Sequence, residues 1–415
     1  MGWKGALLEM PLWAVSQFRP SGFDPVRQAP REILVLRPND FGDLLTTTPV
    51  FEALRRRFPT TRVIAGIGGW GRAVVENNPF VDEIIQIDAP WNNKVVQKQS
   101  LTDGLRYIWG AAQVAALRER NGFDVGIDVL GSHMGLMLML RVGVRHRVGV
   151  RGYRGGWSAC QAYIPFKLDV HVGRAALRQA ELLGATDLPE ARPQLYLTDA
   201  ERAQATELWQ GTPRPSRKPL RLLVGCAAGL PDKTWSAQAL GTALRELALT
   251  LAGKQEDLEI LIVGSAADEP RAAQITAASG IARVRSVVGQ TSLRTTFALA
   301  EQADAVLTSS SMLLHVAAAF HRPTVAVLGG SLADTQAHDA LWGYPPPYRS
   351  VGPSMPIAGN GVASWPTVDQ VVEAVLNALE LRIAEPEPRD RPQRDIAHTV
   401  QSPSAPLALF GSPQT

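Results

Sequence analysis

The segment REILVLRPNDFGDLLTTTP, residues 31–49, decides the fold class of this chain. Its first half is an aliphatic run, which is typical of a buried strand, and residues 44–58 have the apolar spacing of a helix. A short turn joins the two and contains Asn39, Asp40, Gly42 and Asp43. A strand that passes through such a turn into a helix predicts one unit of a parallel α/β sheet.

The same alternation continues along both halves of the chain. Further strand-like runs are TRVIAGIG (61–68), EIIQID (83–88) and FDVGIDVL (123–130), with helical stretches between them and a helix near residues 173–184. A second series contains RLLVGCAA (221–228), LEILIVGS (258–265), ARVRSVVG (282–289), DAVLTSS (304–310) and PTVAVLGG (323–330). Short apolar strands separated by helices predict parallel sheets that are covered on both faces.

We therefore predict an α/β fold with two Rossmann-like domains that face each other across a cleft. The segment GTPRPSRKPL is rich in proline and basic residues and is predicted to link them. The last helix, near residues 368–383, is expected to return toward the first domain. The predicted organisation is an N-terminal extension (1–30), a first domain (31–210), the linker (211–220), a second domain (221–384) and a disordered tail (385–415).

The composition is that of a globular protein. The 415 residues suffice for two domains, and 45% hydrophobic with 20% charged residues excludes general disorder. The net charge of +3 is too small to indicate nucleic acid, so no such partner is expected. No apolar run has the length of a membrane span, and two cysteines, Cys160 and Cys226, make no disulfide framework. A cytoplasmic protein is expected.

The turn with Gly42 and Asp43 lies where open α/β sheets bind ligands. The loops converge beyond the carboxyl ends of the strands, and a helix N-terminus offers free amides there. Asp43 is thus a candidate for chemistry. The alternative is that Asp43 only caps the helix.

A second glycine-rich turn, GIGGWG at residues 66–71, matches the dinucleotide-binding pattern G-x-G-x-x-G. Asp88 ends the next strand, where an acid that binds ribose would be expected. This pattern leaves an NAD-dependent oxidoreductase as an alternative. The motif follows the second strand rather than the first, which favours tight-turn glycines instead.

Two loops in the second half suit phosphate or sugar oxygens. VGCAAGLPDKTWS (224–236) places Lys233 just before a helix, and a loop of amides with one lysine can cradle a diphosphate. In the segment of residues 304–323, three serines precede a helix that contains His315. An exposed lysine at a helix start and serines that cap a helix are the structural alternatives.

A basic stretch, RVGVRHRVGVRGYRGGW, covers residues 141–157. Its arginines are Arg141, Arg145, Arg147, Arg151 and Arg154, and the stretch contains no acidic residue. An anionic acceptor or membrane headgroups are the expected partners of this charge, and a solvated basic loop is the alternative.

Taken together, these segments resemble glycosyltransferase family 9, the lipopolysaccharide heptosyltransferase group, over residues 33–379. In the first half the resemblance rests on the FGD turn, RRRFP and ENNPFVDEI. In the second half it rests on GLPDKTW, VGSAADEPR, GQTSL and SSSMLLHVAAA with HRPTVAVLGG. It implies a GT-B architecture, with an acceptor domain first and a nucleotide-sugar domain second. It also implies an inverting reaction without metal or cofactor, and the chain has no D-x-D pair that would chelate a metal on a diphosphate.

The resemblance also implies roles for individual residues. Asp43 is the expected general base, and the expected donor-binding residues are Gly42, Lys233, Asp268, Ser310, Ser311 and His315. The implied reaction moves a heptose-like sugar from a nucleotide-diphosphate sugar to an anionic cell-envelope glycan or glycolipid. Peripheral contact with the inner membrane is expected with such an acceptor.

One segment departs from the family pattern. Members usually have Asp-Ser/Thr-Gly ahead of the helix histidine, whereas this chain has Ser310, Ser311 and Met312. A carboxylate and the space beside a glycine are therefore lost. A family-like binding or scaffold protein without turnover is the alternative that this departure leaves open.

Overall fold

The structure is a computed structural model that describes residues 3–18, 22–120, 122–210, 219–332, 334–352 and 364–384. The predicted tail and most of the predicted linker lie outside these ranges.

The first half builds one parallel sheet of six strands with the order β3-β2-β1-β4-β5-β6. The strands are β1 (Glu32–Leu36), β2 (Arg62–Ile67), β3 (Glu83–Gln86), β4 (Val125–Asp128), β5 (His146–Arg151) and β6 (Ala162–Pro165). Its helices are α1 (Trp3–Gln17), α2 (Phe41–Thr47), α3 (Pro49–Arg57), α4 (Arg72–Val75), α5 (Leu101–Gly110), α6 (Ala112–Arg118), α7 (His133–Arg141) and α8 (Val172–Glu181).

The second half builds another parallel six-stranded sheet with the order β12-β11-β10-β7-β8-β9. The strands are β7 (Leu220–Gly225), β8 (Leu258–Val263), β9 (Val284–Ser286), β10 (Ala305–Ser309), β11 (Thr324–Val327) and β12 (Tyr348–Val351). The helices are α9 (Asp199–Trp209), α10 (Ala237–Gly253), α11 (Glu269–Ser279), α12 (Leu293–Gln302), α13 (Met312–Ala319), α14 (Thr335–Trp342) and α15 (Val368–Ala384).

The two sheets have the same topology, so the predicted pair of Rossmann-like domains is confirmed. In each, the chain order reverses beside one central strand: β1 lies between β2 and β4, and β7 lies between β8 and β10. All six residues of β8 are buried, as expected for a strand covered on both faces. The reversals create a topological switch point in each sheet, where the loops diverge and leave a crevice.

The structure corrects two expectations about helices. The helix predicted over residues 44–58 is two helices, because Pro49 begins α3 and has no N–H with which to continue α2. Helix α15 packs against α10 and β10–β12 in the second sheet, so it does not return to the first domain. Its apolar face includes Val371, Val375 and Leu379, which lie in the second core.

Helix α9 packs against α12, although the predicted boundary at residues 211–220 assigned it to the first domain. The Arg202 guanidinium lies 2.8 Å from Glu301, and Arg285 donates to the carbonyl of Leu208 at 2.9 Å. The apolar ring of Trp209 is 1% exposed. Helix α9 therefore packs with the second domain, although it precedes the predicted linker in the chain.

The two domains also contact each other directly. Arg294 of α12 donates to the carbonyls of Ala73 and Glu76 in the first domain, at 3.0 and 3.3 Å. Arg192 donates to the carbonyl of Ala318 in α13 at 3.3 Å. Because guanidinium bonds to buried carbonyls are directional, these contacts orient one sheet against the other.

Candidate functional site

Asp43 lies at the switch point of the first sheet, in the first turn of α2. Asp40 holds the N-cap position, so Asp43 is not the cap of this helix. Arg37, which follows β1, places Nη2 at 3.2 Å from Asp43 Oδ1 and donates through Nε to the Asp43 carbonyl at 3.3 Å. The Arg37 side chain is 7% exposed and that of Asp43 is 27% exposed. A buried cation thus holds a carboxylate that solvent and ligands can reach.

Gly42 brings this turn into contact with the second domain. A Cβ at Gly42 would lie 3.2 Å from Cδ2 of His315 in α13. The absence of a side chain therefore allows α2 and α13 to approach closely. As a consequence, Asp43 lies beside the second domain rather than on an isolated edge of the first.

His315 belongs to a buried cluster at this contact. Its Nδ1 lies 2.7 Å from the Tyr344 hydroxyl, and the ring of His171 lies 5.0 Å from that of Tyr344. Burial, together with the charges of His171 and His338, lowers the pKa of His315 to about 3. Burial, with Arg192 and Arg174, lowers the pKa of His171 to about 4. Both rings are therefore neutral at pH 7, and His315, 6% exposed, packs the domain contact.

This cluster predicts a pH-dependent stability. The folded state resists protonation of His315, whereas the unfolded chain binds a proton below about pH 6.5. The contribution of His315 is therefore complete above that pH and is lost as the pH falls toward 3. Between about pH 6 and pH 4 we expect the free energy of unfolding to fall by about 1.4 kcal/mol per pH unit for this residue. Urea unfolding of the His315→Gln variant should show a correspondingly smaller slope, and an identical slope would contradict the assignment.

Lys233 lies at the switch point of the second sheet, in a single helical turn, Pro231–Lys233, that follows β7. The loop after β11 holds the backbone of this turn, because the Ser331 N–H donates to the carbonyl of Asp232 at 3.2 Å. The Lys233 side chain is partly exposed, and no ion pair is found for its ammonium within the described ranges. It remains a candidate for a phosphate contact.

Lys94 is a residue that the sequence reasoning missed. Its Nζ would lie 3.0 Å from a Cβ at Gly229, in the loop that ends at Lys233. The same Nζ lies 3.9 Å from Asp40 Oδ2, and the Lys94 N–H donates to Asp40 Oδ1 at 2.8 Å. Lys94 therefore spans from the Asp43 turn to the Lys233 loop. The available signal was its place in APWNNK (89–94), beyond the carboxyl end of β3.

The serines of the departing segment follow β10, beside the Lys233 loop at the same switch point. Ser311 is the N-cap of α13, but its hydroxyl lies 2.9 Å from that of Thr308 and does not cap the helix. The hydroxyl of Ser310 lies 2.9 Å from Nε2 of His338. His338 belongs to α14 and was not predicted.

A partly exposed carboxylate, that of Asp339, orients this histidine. Nδ1 of His338 lies 3.0 Å from Asp339 Oδ1, and Asp339 also accepts from the hydroxyls of Tyr348 and Ser350 at 2.6 and 2.5 Å. Burial raises the pKa of Asp339, but the bonds from His338, Ser350 and Tyr348 outweigh it and leave the pKa lowered. A neutral ring with its proton on Nδ1 donates to this anion and accepts the Ser310 proton at Nε2, whereas a protonated ring donates from both nitrogens. The remaining lone pairs of Ser310 are acceptors.

Asp268, the expected ribose contact, has a local structural role. Its Oδ2 accepts from the N–H and the hydroxyl of Ser265 at 2.8 and 2.7 Å. These bonds close a capping box at the start of the turn Ala266–Asp268. The side chain is thereby fixed at the carboxyl end of β8, and its role toward a donor stays a prediction.

The arginine stretch separates into two groups. Arg147 is fully buried and donates to the carbonyls of Ala159 and Val144 at 2.7 Å each, so no acceptor can reach it. Arg145 lies 3.1 Å from Asp124, an acid outside the stretch that offsets its charge. The other three members have no ion pair in the described residues and lie over aromatic rings. They are Arg151 at 4.5 Å from Trp157, Arg154 at 5.3 Å from Tyr153, and the partly buried Arg141 at 6.0 Å from Trp109.

The GIGGWG turn does not present its acid to a ligand. The Gly69 N–H donates to Asp88 Oδ1 at 2.8 Å, and Gln113 donates to Oδ2 at 2.9 Å. The Trp70 ring covers Gly68 and donates from Nε1 to the Asn39 carbonyl at 2.8 Å. Asp88 therefore holds this turn together, which favours the tight-turn interpretation.

The described ranges contain no group of three or more His, Cys, Asp or Glu side chains that could hold a metal ion. No helix within them is long and apolar enough to cross a membrane.

Comparison with known proteins identifies the family. Lipopolysaccharide heptosyltransferase 2 of Salmonella typhimurium is 25% identical over an alignment of 326 residues that covers 73% of this chain and 84% of the relative. The structure of the E. coli ADP-heptose lipopolysaccharide heptosyltransferase II is 21% identical, with a TM-score of 0.64 over 85% of this chain and all of that one. A family 9 glycosyltransferase from Veillonella parvula is 18% identical, with a TM-score of 0.65 over 85% of this chain and 97% of that one. At these identities the two structures show a shared fold.

The family model described as glycosyltransferase family 9 (heptosyltransferase) matches residues 113–337, more than half of the chain. This match includes Lys233, both serines of the departing segment and His315. The chain belongs to glycosyltransferase family 9.

Proposed function

We propose that this protein transfers a heptose-like sugar, with inversion, from a nucleotide-diphosphate sugar to an anionic cell-envelope glycan or glycolipid. The observation that carries the proposal is the meeting of the two switch-point loops, where Gly42 touches His315 and Lys94 reaches Gly229. The meeting places the Asp43 turn beside the loop of Lys233. Because a relative is named as an ADP-heptose enzyme, ADP is the first nucleotide to test.

Asp43 is the proposed general base. Its carboxylate takes the proton of the acceptor hydroxyl while that oxygen attacks the anomeric carbon of the donor. The bond from the anomeric carbon to the diphosphate breaks on the opposite side, so the configuration inverts. Arg37, 3.2 Å away, keeps the carboxylate oriented throughout.

Lys233 and Lys94 are the proposed diphosphate contacts. As the nucleotide diphosphate leaves, negative charge builds on its bridging oxygen, and cations held in a partly closed site stabilise that charge. Lys94 comes from the first domain and Lys233 from the second, so a bound diphosphate would join the two loops.

Ser310 is proposed to accept a hydrogen bond from a donor hydroxyl. The support is the 2.9 Å contact between the Ser310 hydroxyl and Nε2 of His338, which engages the Ser310 proton when Asp339 holds a neutral imidazole with its proton on Nδ1. An outward lone pair then serves in place of the carboxylate that the family pattern has here. The inactive scaffold is the alternative that the next experiment excludes or favours.

The test combines binding and turnover. Thermal unfolding is followed with ADP-heptose and with other nucleotide sugars and nucleotide diphosphates; a ligand at 100 times its Kd should stabilise the fold by about 2.7 kcal/mol. Donors that bind are then assayed for transfer to a heptose-deficient lipopolysaccharide core. Binding without transfer or donor hydrolysis would favour the scaffold. If none of these ligands raises the thermal stability, the result would count against the donor site.

Activity is predicted to survive chelation. The diphosphate charge is assigned to Lys94, Lys233 and free amides, and the sequence has no D-x-D pair for a bridging metal. Transfer rates after exhaustive EDTA treatment should therefore equal those of untreated protein. Loss of transfer that Mg²⁺ or Mn²⁺ restores would contradict this assignment.

The acceptor surface is proposed to use Arg141, Arg151 and Arg154, for which no ion pair is found in the described residues. Arg145 pairs with Asp124, and Arg147 is buried. With a lipid-linked acceptor, the protein is proposed to work in the cytoplasm at the surface of the inner membrane.

A further inference from the structure

Helix α1 exposes large apolar side chains in residues 9–17, the part of the helix whose side chains the structure describes. Leu12, Glu9 and Ser16 are 5%, 9% and 6% exposed on the face that packs against the protein, whereas Met10 and Trp13 are 73% and 56% exposed. Phe18, directly after the helix, is 87% exposed. A helix that only packs on its own domain turns its apolar stripe inward. The outward apolar side chains of α1 therefore lack a counterpart within the described residues.

The contacts of Glu9 prevent rotation of α1 about its own axis. Its carboxylate accepts from the N–H groups of Gly156 and Ser158 at 2.6 and 3.1 Å, and it lies 3.2 Å from Nε2 of His133. A buried carboxylate is costly without such partners. Rotation of α1 to bury Trp13 would break these bonds, so the folded chain keeps the apolar face in the solvent.

An open groove continues this face. Helices α1, α5 and α7 bound a cavity of about 340 Å³ whose lining includes Pro11, Val15, Trp109 and Met137. Trp109 is 57% exposed, and the Arg141 guanidinium lies 6.0 Å from its ring. The groove is therefore apolar and aromatic with one cation at its border.

A second exposed aromatic set lies in the loops after β5 and β6. Tyr153 and Phe166 stack at 4.5 Å and are 40% and 38% exposed. Arg151 and Arg154 lie over the rings of Trp157 and Tyr153. The Glu9 anchor connects α1 to the same loop. These loops also follow the carboxyl edge of the first sheet, the edge from which the Asp43 turn begins.

We propose that α1 and these aromatic loops form a docking surface for an anionic lipid bilayer. Tryptophan and tyrosine favour the headgroup region, and apolar side chains of a helix that lies on a bilayer enter the acyl boundary. Arg141, Arg151 and Arg154 make no ion pair within 4.0 Å in the described part of the chain, so their charge is available for lipid phosphates. The inference rests on the proposed function only in its choice of partner, and it assigns the contact to residues that the arginine stretch alone did not indicate.

The test is flotation of the full chain with phosphatidylcholine vesicles, with and without phosphatidylglycerol. Wild type should float with the anionic vesicles and be released as salt increases. The double variant Trp13→Ser/Phe18→Ser should bind these vesicles at least about tenfold more weakly, because two large apolar side chains no longer leave water. Leu249→Ser, on the exposed face of α10 and 60% exposed, is the matched control and should bind as wild type does.

The charge component is tested separately. Arg151→Gln/Arg154→Gln should remove the preference for phosphatidylglycerol, whereas Arg245→Gln on α10 should not. Wild type that stays unbound, equal binding by the Trp13→Ser/Phe18→Ser variant, or equal binding to neutral and anionic vesicles would each overturn the proposal. A wild-type dimer that this variant dissociates, with no vesicle binding, would assign the face to a second copy and overturn it as well.

The outcome is distinguishable from failure of the proposed function. Donor binding and transfer to a detergent-free, deacylated acceptor should be unchanged in Trp13→Ser/Phe18→Ser, which also shows that the variant is folded. Transfer without vesicle binding overturns only the docking surface. Vesicle binding that depends on Trp13 and Phe18, without any transfer, supports the surface and counts against the proposed reaction.

Discussion

Replacement of Asp43 by asparagine should lower the rate of transfer by roughly 10² to 10⁴, the usual contribution of a positioned acid or base. The amide keeps the size of the side chain but cannot take up the proton of the acceptor hydroxyl. Some stability should be lost, because the buried Arg37 loses the charge of its partner, but the fold should persist, since the amide oxygen can still accept from Arg37 and the N-cap of α2 is Asp40. The loss should fall on kcat, with donor affinity close to that of wild type.

The experiment needs thermal unfolding, donor titration and single-turnover transfer on the same preparations. Asp187→Asn, at an exposed carboxylate that pairs with Arg56, is the control for removal of a surface charge. Asp40→Asn tests the neighbouring acid of the same turn. A larger loss in Asp40→Asn than in Asp43→Asn would move the base to Asp40, and a destabilised but fully active Asp43→Asn would make Asp43 a structural residue.

Replacement of Lys233 by alanine should weaken donor binding by about 10- to 100-fold, since hydrogen bonds to charged groups contribute about 1.5–3 kcal/mol. The fold should persist, because the Lys233 turn is held through its backbone. Isothermal titration with the nucleotide diphosphate measures this loss without turnover. Lys254→Ala, at an exposed lysine that pairs with Glu380, is the matched control.

Lys94→Ala provides a comparison across the cleft. If both lysines hold one diphosphate, each single variant should lose affinity, and the double variant should lose less than the sum of the two changes. Full additivity would place the lysines in separate contacts. Unchanged affinity in Lys233→Ala would remove that residue from the donor site.

The residues around Asp43 show how far the sequence alone could reach. The aliphatic run before Arg37 and the polar turn after it predicted a strand, a turn and a helix, and parallel-sheet topology then placed Asp43 at a ligand-binding edge. The predicted extent of the first helix was wrong, because a second helix begins at Pro49, within the region where the apolar spacing predicted one continuous helix. Local patterns thus predicted the elements better than their ends.

Arg147 shows where charge patterns mislead. Five arginines without a nearby acid in the sequence suggested a basic surface, yet Arg147 is buried and bonded to carbonyls, and Arg145 meets Asp124. The partners Asp124 and Ala159 lie outside the arginine stretch, so the sequence of the stretch does not reveal them. Solvation, and therefore availability to a ligand, is decided by those neighbours.

The sequence by itself determined the two parallel sheets, the position of the polar loops at their carboxyl ends and the membership in the family, because strand and helix periodicity and turn residues act over a few positions. Only the tertiary structure decided which loops meet. Gly42 against His315, Lys94 against Gly229 and His338 beside Ser310 join segments that are remote in the chain. Such contacts depend on how two sheets pack and on which buried polar groups find partners, and packing and desolvation act through space rather than along the sequence.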